Sequence, residues 1–246
     1  KYLQQNHNQL TWKERIQIIT DIVSALRRIH YENAIHRDLH SGNVLYKNRF
    51  LISDLGFCGP ADKPLESIYG NLPYVAPEVI VGKEQTFKSD IYSIAILMWE
   101  VSSGQPPFIN YEHDYNLAMN IVNGIRPKIV SGTLFEYKNL MKQCWDADPS
   151  KRPDIITLDD KMREINLFYQ TFHSNKSYDF YIPNNIDDFN KSNSTSKIST
   201  IFKDDYKIES IQKQIKKLHI NDNDEVEAHN NPNLHSEEQD ELELPD

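Results

Sequence analysis

One polar stretch, HRDLHSGNVL at residues 36–45, lies between a long helical pattern and two short apolar strand patterns. Thr11 and Glu14, three positions apart, form a capping box that predicts where the helix begins. Along that helix, apolar residues recur at Ile16, Ile19, Ile22, Val23, Leu26 and Ile29. After the polar stretch, residues 44–46 and 50–52 predict a tight hairpin. The polar residues are therefore expected at one end of a small β element beside a long helix.

Further helical patterns follow the predicted hairpin. Apolar residues recur at helical spacing in residues 77–81, 88–102, 116–122, 134–145 and 155–167. The chain is therefore expected to have an α+β fold that is mainly α-helical, with a small β-hairpin.

The composition changes near residue 170 and divides the chain into two regions. Residues 1–170 have the apolar periodicity and the Gly and Pro punctuation of a folded domain, whereas Asn, Ser, Asp and Lys dominate residues 171–246. Residues 175–246 contain 8 Lys and 16 Asp or Glu, a net charge of −8 out of the −9 of the whole chain. Such a segment buries too little apolar surface to offset chain entropy, so residues 171–246 are expected to form a mostly disordered acidic tail.

One short segment of this tail has a helical pattern. Four apolar residues fall on one face and three lysines lie beside them: Ile208, Ile211, Ile215 and Leu218, with Lys213, Lys216 and Lys217. Residues 207–219 are therefore expected to form a short helix, either as a docking element for a partner or as a transient helix without one.

The composition excludes several classes of protein. No run approaches the roughly 18 apolar residues of a membrane span, because the longest candidate, IAILMWEV at residues 94–101, contains Glu100. The first residues, KYLQQNHNQL, have no signal-peptide pattern, and the chain is expected to begin within a domain. Cys58 and Cys144 are too few for a disulfide framework, and residues 1–174 are nearly neutral. A cytoplasmic protein without nucleic-acid or membrane partners is expected.

Three polar residues are expected to converge at one end of the hairpin. Asp38 lies in the loop after the helix, Asn43 directly precedes the first strand, and Asp54 follows the second strand. Carboxylate and amide oxygens suit Mg²⁺, which leaves other positions to water and phosphate groups. Asn43 and Asp54 can hold such an ion, and Asp38 is then left to accept a proton.

Five motifs in order carry a resemblance to a known family. They are HRDLHSGNVL at 36–45, DLG at 54–56, APE at 76–78, DIYS at 90–93 and CWDADPSKRP at 144–153. They resemble the catalytic loop, the metal-binding motif, the end of the activation segment, the central helix and the arginine segment of protein kinases. YVAPE and CWDADPSKRP look most like the tyrosine-kinase-like group. The resemblance covers residues 1–170 and implies the C-terminal lobe of a protein kinase.

The resemblance implies a catalytic or binding role for several residues. Asp38 would orient the substrate hydroxyl and accept its proton, while Asn43 and Asp54 would hold Mg²⁺ on ATP. Leu45 would line the adenine side of the nucleotide, with Leu97 and Val101 behind it. The partners implied are ATP and a protein substrate.

Other matching residues would have structural roles. Glu78 and Arg152 would form a buried ion pair, with an ordinary surface bridge as the alternative. Asp90 would brace the catalytic loop through its backbone, and capping of its own helix is the simpler reading. His36 would pack with Leu55.

Regulation is implied by Arg37, directly before Asp38. In this family such an arginine often receives a phosphate on the activation loop, which orders the loop through a charge-assisted pair. Ser67 or Tyr69 is the expected phosphate carrier, and an unmodified loop is the alternative.

Two positions depart from the serine/threonine-kinase pattern. His40 stands where a lysine usually contacts the transferred phosphate, and its charge is conditional because an unperturbed histidine has a pKa of about 6.5. Asn71 stands where the segment before APE usually has Thr. The expected acceptor is still Ser or Thr, from the resemblance to the tyrosine-kinase-like group.

The motifs of the N-terminal lobe are not found in this chain. Nothing resembles the glycine-rich loop, the strand lysine of VAIK or its partner glutamate. Because orientation of reactants can contribute about 7–11 kcal/mol to catalysis, the chain alone is expected to be inactive, and a protein with both lobes active.

Three rival interpretations remain. A small-molecule phosphotransferase of the antibiotic-kinase type shares the HxDxxxxN loop but lacks the APE segment. A pseudokinase or truncated docking module would bind partners without chemistry. Zinc ligation by His36 and His40 would need a helix that Ser41, Gly42 and the following strand interrupt.

Overall fold

The structure is a computed structural model of the chain and describes residues 9–60 and 70–172. The helices α1 to α6 span Trp12–Tyr31, Pro77–Ile80, Phe87–Ser103, Tyr115–Val122, Phe135–Cys144 and Ile155–Phe172. The strands β1 to β4 span Ala34–Ile35, Val44–Lys47, Arg49–Ile52 and Gly59–Pro60. β1 pairs with β4 and β2 pairs with β3, each as a two-stranded antiparallel sheet. The expected mainly helical architecture with a small hairpin is therefore confirmed.

Helix α3 forms the centre of the core. Its side chains from Ser89 to Ser103 are all buried, as in a helix that other elements surround. Thr86 caps its N-terminus in a capping box with Ser89, and Gly104 ends it with a φ of 68°. Thr86 is therefore the capping residue, and Asp90 is left for another function.

Helix α1 begins at the predicted capping box. Thr11 Oγ1 accepts a hydrogen bond from Glu14 N, and Glu14 Oε2 accepts one from Thr11 N at 2.7 Å. The predicted stripe packs into the core, with Ile16, Ile19, Ile22, Val23 and Leu26 buried and Ile29 half-buried. Arg15, also buried, donates to the carbonyl of Val101 in α3. The capping box and this contact fix α1 against the central helix.

The hairpin of β2 and β3 pairs Val44 with Ile52 and Lys47 with Arg49. Asn48 forms its turn with a φ of 62°, a left-handed conformation that Asn tolerates better than most residues. Strand β3 packs against α1. The open end of the hairpin therefore lies beside the loop that joins β1 to β2.

Two features differ from the sequence prediction. Helix α6 continues to Phe172, past the predicted end at residue 167, and Tyr169 in this extension still packs on the core. The β1–β4 pair was not expected, because strands of two residues have no periodicity to detect.

The acidic tail and its helix at 207–219 lie outside the described residues. Within residues 9–60 and 70–172, no helix is both long and apolar enough to span a bilayer.

Two buried tyrosines of the core differ in their hydrogen bonding. Tyr137 Oη donates to the carbonyl of Met98 at 2.8 Å. The Tyr92 hydroxyl is buried without a hydrogen-bond partner in the part of the chain that the structure describes. The guanidinium groups of Arg126 and Arg152 lie 5.0 and 5.2 Å from the centre of the Tyr92 ring. The Tyr92 ring therefore contributes packing and cation–π contacts, whereas its hydroxyl contributes no hydrogen bond.

Replacement of Tyr92 by Phe is expected to leave the free energy of unfolding unchanged or to raise it by up to about 1 kcal/mol, because a buried hydroxyl without a partner is removed. Tyr137→Phe is the matched control. It is expected to lower the free energy of unfolding by about 1 kcal/mol, because the Met98 carbonyl loses its donor. Urea unfolding of both variants measures this, and equal losses in the two would contradict the prediction.

Candidate active site

Asp90 of α3 holds the backbone of the loop between β1 and β2. Its Oδ2 accepts a hydrogen bond from His36 N at 2.8 Å, and its Oδ1 accepts one from Arg37 N at 3.0 Å. Oδ2 also lies 2.9 Å from Nε2 of His30. Arg37 has a φ of 73°, which is uncommon outside glycine. The structure thus places Asp90 directly behind the loop that carries Asp38.

His36 connects this loop to the end of the hairpin. The side chain is fully buried, its Nε2 lies 3.2 Å from the carbonyl oxygen of Ser53, and its Nδ1 accepts a hydrogen bond from Asp38 N at 3.3 Å. Ser53 N and Oγ in turn donate to the carbonyl of Asn43, at 2.8 and 3.1 Å. Residues 38, 43 and 53 are therefore fixed relative to one another.

Asp38 and Asn43 are brought together by direct hydrogen bonds. Asn43 Nδ2 donates to the backbone carbonyl of Asp38 at 2.9 Å and to its Oδ2 at 3.2 Å. Burial raises the pKa of the Asp38 carboxyl. Neighbouring groups lower it by more: His40 through a hydrogen bond and its charge, His36 through its charge, and Asn43 through a hydrogen bond. The pKa of Asp38 is therefore below its usual value. Asp38 is therefore a buried carboxylate that is ionised at neutral pH.

His40 lies against both Asp38 and the following glycine. Its Nε2 is 3.5 Å from Asp38 Oδ2, and its Nδ1 accepts a hydrogen bond from Gly42 N at 3.1 Å. The ring centre is 6.0 Å from that of Tyr74. His40 therefore directs one nitrogen to the carboxylate and the other to the loop backbone.

Asp54 and Leu55 follow β3, and both are exposed. Asp54 is exposed, has a φ of 55° and accepts a hydrogen bond from Gly56 N at 3.3 Å. No hydrogen bond joins it to Asp38 or Asn43 among the described residues, although it directly follows the bonded Ser53. Leu55, expected to pack with His36, is 56% exposed, so the described residues leave more than half of its surface uncovered.

Leu45, expected on the adenine side, lies on β2 and is 53% exposed. Leu97 and Val101, expected behind it, are buried within α3. The three residues therefore differ in burial, since Leu45 exposes an apolar side chain on β2 and the other two belong to the core.

A narrow cleft beside Asp38 is lined by the segment that precedes α2. Its lining includes Gly70, Asn71 and Tyr74. Tyr74 Oη donates to Oε2 of Glu100 at 2.6 Å and lies 3.3 Å from Ser41 Oγ. Sequence reasoning missed this network, although a single carboxylate within the apolar run of residues 94–101 was a signal for a buried polar contact.

Replacement of Glu100 by Gln is expected to stabilise the chain increasingly as the pH rises. Burial raises the pKa of the Glu100 carboxyl above the ordinary 4.5, and the hydrogen bonds from Tyr74 and Ser41 lower it less. The contribution of Glu100 to stability is therefore fully present below pH 4.5 and is lost as the pH rises through its folded-state pKa. Gln keeps an oxygen acceptor for Tyr74 and does not titrate.

The measurement is urea unfolding of both proteins from about pH 4.5 to 7.5. The free energy of unfolding of the variant, relative to the natural chain, should rise with pH and then level off. Glu84→Gln, at an exposed loop position, is the control and should show no such rise. A constant difference across the pH range for Glu100→Gln would contradict the prediction.

Glu78 and Arg152 form a buried, bidentate ion pair. Arg152 Nη1 and Nη2 donate to Glu78 Oε1 and Oε2, both at 2.7 Å. Ser89 Oγ donates to the same carboxylate at 3.1 Å. Both charged side chains are buried, so the pair is not an ordinary surface bridge. It joins the start of α2 to the segment before α6.

Arg37, expected to bind a phosphate, donates hydrogen bonds to backbone carbonyls. It is buried, and its guanidinium donates to the carbonyls of Phe57 at 3.2 Å and Pro60 at 2.9 Å. Ser67 and Tyr69, the expected phosphate carriers, lie outside the described residues. Arg37 is thus positioned where the chain leaves β4 toward that segment.

The ligands expected for a hard divalent cation are Asn43 and Asp54. The amide nitrogen of Asn43 is engaged by Asp38, which leaves Oδ1 as the available ligand atom. The second ligand expected from the sequence is the exposed carboxylate of Asp54. The described residues hold no cluster of three or more His, Cys, Asp or Glu that could bind a metal by itself. A set of two oxygen ligands suits Mg²⁺, which commonly completes its coordination with water and substrate phosphates.

Comparison with known proteins identifies the family of this chain. Residues 1–162 match the model of the protein tyrosine and serine/threonine kinase family. A dual serine/threonine and tyrosine protein kinase of Mus musculus is 36% identical over 162 residues, which cover 63% of this chain and 17% of that protein. The dual specificity protein kinase zakA of Dictyostelium discoideum is 32% identical over 197 residues, 72% of this chain and 25% of that protein. The chain thus spans a quarter or less of these relatives, and it belongs to the protein tyrosine and serine/threonine kinase family.

Proposed function

We propose that this chain forms the catalytic lobe of a kinase that transfers the γ-phosphoryl group of ATP to hydroxyl groups of proteins. The observation that carries the proposal is the buried carboxyl group of Asp38, which Asn43 and His36 hold in place beside a narrow cleft. A carboxylate in this state can accept a hydrogen bond from an incoming hydroxyl and direct its oxygen at phosphorus.

Each residue of the site has a proposed part in positioning the reactants. Asn43 and Asp54 would hold Mg²⁺, which neutralises charge on the phosphates when bound. Leu45 offers its exposed apolar side chain to the adenine. Asp38 orients the hydroxyl and receives its proton. Because phosphoryl transfer depends mainly on positioning, the hydrogen bonds that fix residues 38, 43 and 53 support this function.

The acceptor is proposed to be Ser or Thr of a protein. The name of the Mus musculus relative includes both serine/threonine and tyrosine, so tyrosine is the competing acceptor. Phosphoamino-acid analysis of a labelled protein substrate separates the two.

The test is transfer from γ-labelled ATP to a mixture of protein substrates. It is run with the 246-residue chain and with a longer protein that carries an N-terminal kinase lobe before this chain, called here the two-lobe product. Transfer is expected from the two-lobe product and not from the chain alone, because orientation of ATP requires the first lobe. ATP binding without transfer by a two-lobe product would instead favour the pseudokinase.

Regulation and localisation follow from the same proposal. We place residues 1–170 in the catalytic lobe and assign residues 171–246 to a tail whose segment 207–219 docks a partner. Arg37, whose guanidinium donates to the carbonyl of Pro60 at the end of β4, would bind a phosphate on Ser67 or Tyr69. The free thiols of Cys58 and Cys144 suit a reducing cytoplasm.

A further inference from the structure

The position of the proton on His40 can be read from its two hydrogen-bonding nitrogens. Nδ1 accepts a hydrogen bond from Gly42 N at 3.1 Å, so Nδ1 carries no proton in this geometry. A neutral imidazole with an accepting Nδ1 carries its proton on Nε2. Nε2 is the nitrogen that lies 3.5 Å from Asp38 Oδ2. The ring therefore presents an N–H group to the carboxylate.

The His40 ring can take this position because Gly42 has no side chain. A Cβ atom at Gly42 would lie 2.6 Å from His40 Cε1 and 2.8 Å from His40 Nδ1. The imidazole is thus packed directly on the Gly42 backbone. A methyl group at this position would displace the ring and break the bond between Gly42 N and Nδ1.

The two oxygens of the Asp38 carboxylate have different surroundings. Oδ2 faces two donors, Asn43 Nδ2 at 3.2 Å and His40 Nε2 at 3.5 Å. Oδ1 faces Gly70, where a Cβ atom would lie 3.3 Å from it. Gly70 has a φ of 123°, which side chains rarely adopt. Oδ1 therefore lies at the side of the cleft that a glycine keeps open.

We propose that His40 is a positioning residue that, as its Nε2–H form, holds Oδ2 of Asp38 together with Asn43, so that Oδ1 on the Gly70 side accepts the substrate proton. This inference rests on the proposed function. It differs from the role that the family pattern implies for this position, because His40 acts on the carboxylate and not as a charged contact to the transferred phosphate.

In the reaction that this arrangement supports, one bond forms, one bond breaks and one proton moves. The hydroxyl oxygen forms a bond to the γ-phosphorus, and the bond from that phosphorus to the bridging oxygen breaks, with ADP as the leaving group. The hydroxyl proton moves to Asp38 Oδ1. The His40 proton stays on Nε2 throughout, and its contact with Oδ2 limits rotation of the carboxylate.

The first test is long-range ¹H–¹⁵N correlation of ¹⁵N-histidine in the 246-residue chain. The His40 signals are identified by their loss in His40→Gln. The expected pattern has a protonated Nε2 and an unprotonated Nδ1, and Gly42→Ala should change it toward the averaged pattern of an imidazole that exchanges between its two neutral forms. A protonated Nδ1, or the averaged pattern in the natural chain, would overturn the proposal.

The second test is kinetic and uses a two-lobe product that is active. His40→Ala is expected to lower kcat by about 10-fold to 100-fold, as small misplacements of a reacting group do, with the KM for ATP unchanged. His40→Gln, which keeps an N–H group at nearly the same position, is expected to recover most of this loss. Equal losses in both variants, or a raised KM for ATP in both, would refute the positioning role.

The two tests separate the proposal from the function on which it rests. If the natural two-lobe protein transfers no phosphoryl group, the proposed function fails and the role of Oδ1 fails with it. The NMR pattern then still decides where the His40 proton lies. If transfer occurs but the Nε2–H pattern is absent, the function stands and the inference about His40 fails.

Discussion

Replacement of Asp38 by Asn is expected to lower kcat by about 10² to 10⁴-fold in a two-lobe product, the range for loss of one acid–base group. The amide oxygen of Asn can take the place of Oδ2 and accept from His40 and Asn43. The amide nitrogen then occupies the Oδ1 position and cannot accept a proton. The variant should therefore keep the geometry of the loop and lose the proton acceptor.

The measurement is steady-state transfer of labelled phosphate, with urea unfolding as a check on the fold. The KM for ATP should change little, because Asp38 is not a proposed ligand of Mg²⁺ or adenine. Glu112→Gln, at an exposed loop position, is the control and should leave kcat unchanged. Full activity of Asp38→Asn would show that the hydroxyl is activated elsewhere.

Local features of the fold could be predicted from the sequence because their causes are local. The capping box of Thr11 and Glu14 spans three positions, and the hairpin is formed by neighbouring strands. The stripe on α1 follows directly from helical periodicity. Such features depend on residues that are close in the chain, and periodicity and turn chemistry report them.

Contacts between distant residues could not be predicted in this way. Asp90 accepts hydrogen bonds from residues 53 and 54 positions away, at Arg37 and His36, and only the family resemblance suggested a contact there. The bond from Tyr74 to Glu100 was missed, because no spacing rule relates residues 26 positions apart. Leu55 was expected to pack but is exposed, since burial depends on which elements cover a side chain.

The orientation of His40 was also beyond sequence reasoning. Its identity was visible as a departure from the kinase pattern, and a contact with phosphate was the natural expectation. The ring instead lies over Gly42 and directs Nε2 at Asp38. A side-chain torsion, set by a backbone N–H two residues away, decides which group the imidazole contacts.

Replacement of Arg152 by Leu is expected to lower the free energy of unfolding by about 3–5 kcal/mol, the range for a buried ion pair that loses one partner. The Glu78 carboxylate would remain buried and would lose two hydrogen bonds of 2.7 Å. The carbonyls of Asp146 and Lys88 would lose their donors as well. Urea unfolding at neutral pH measures the loss.

Two comparisons separate burial from the mere presence of an ion pair. The double variant Glu78→Leu with Arg152→Leu should be less destabilised than the sum of the single variants, because it leaves no unpaired buried charge. Arg27→Leu breaks a pair with Asp159 that has the same distance of 2.7 Å, but the Arg27 side chain is 43% exposed. Asp159 also keeps its bonds to Arg163 and Ser24. The free energy of unfolding should therefore fall much less in Arg27→Leu than in Arg152→Leu. An equally large fall in Arg27→Leu would mean that burial does not determine the strength of the Glu78–Arg152 pair.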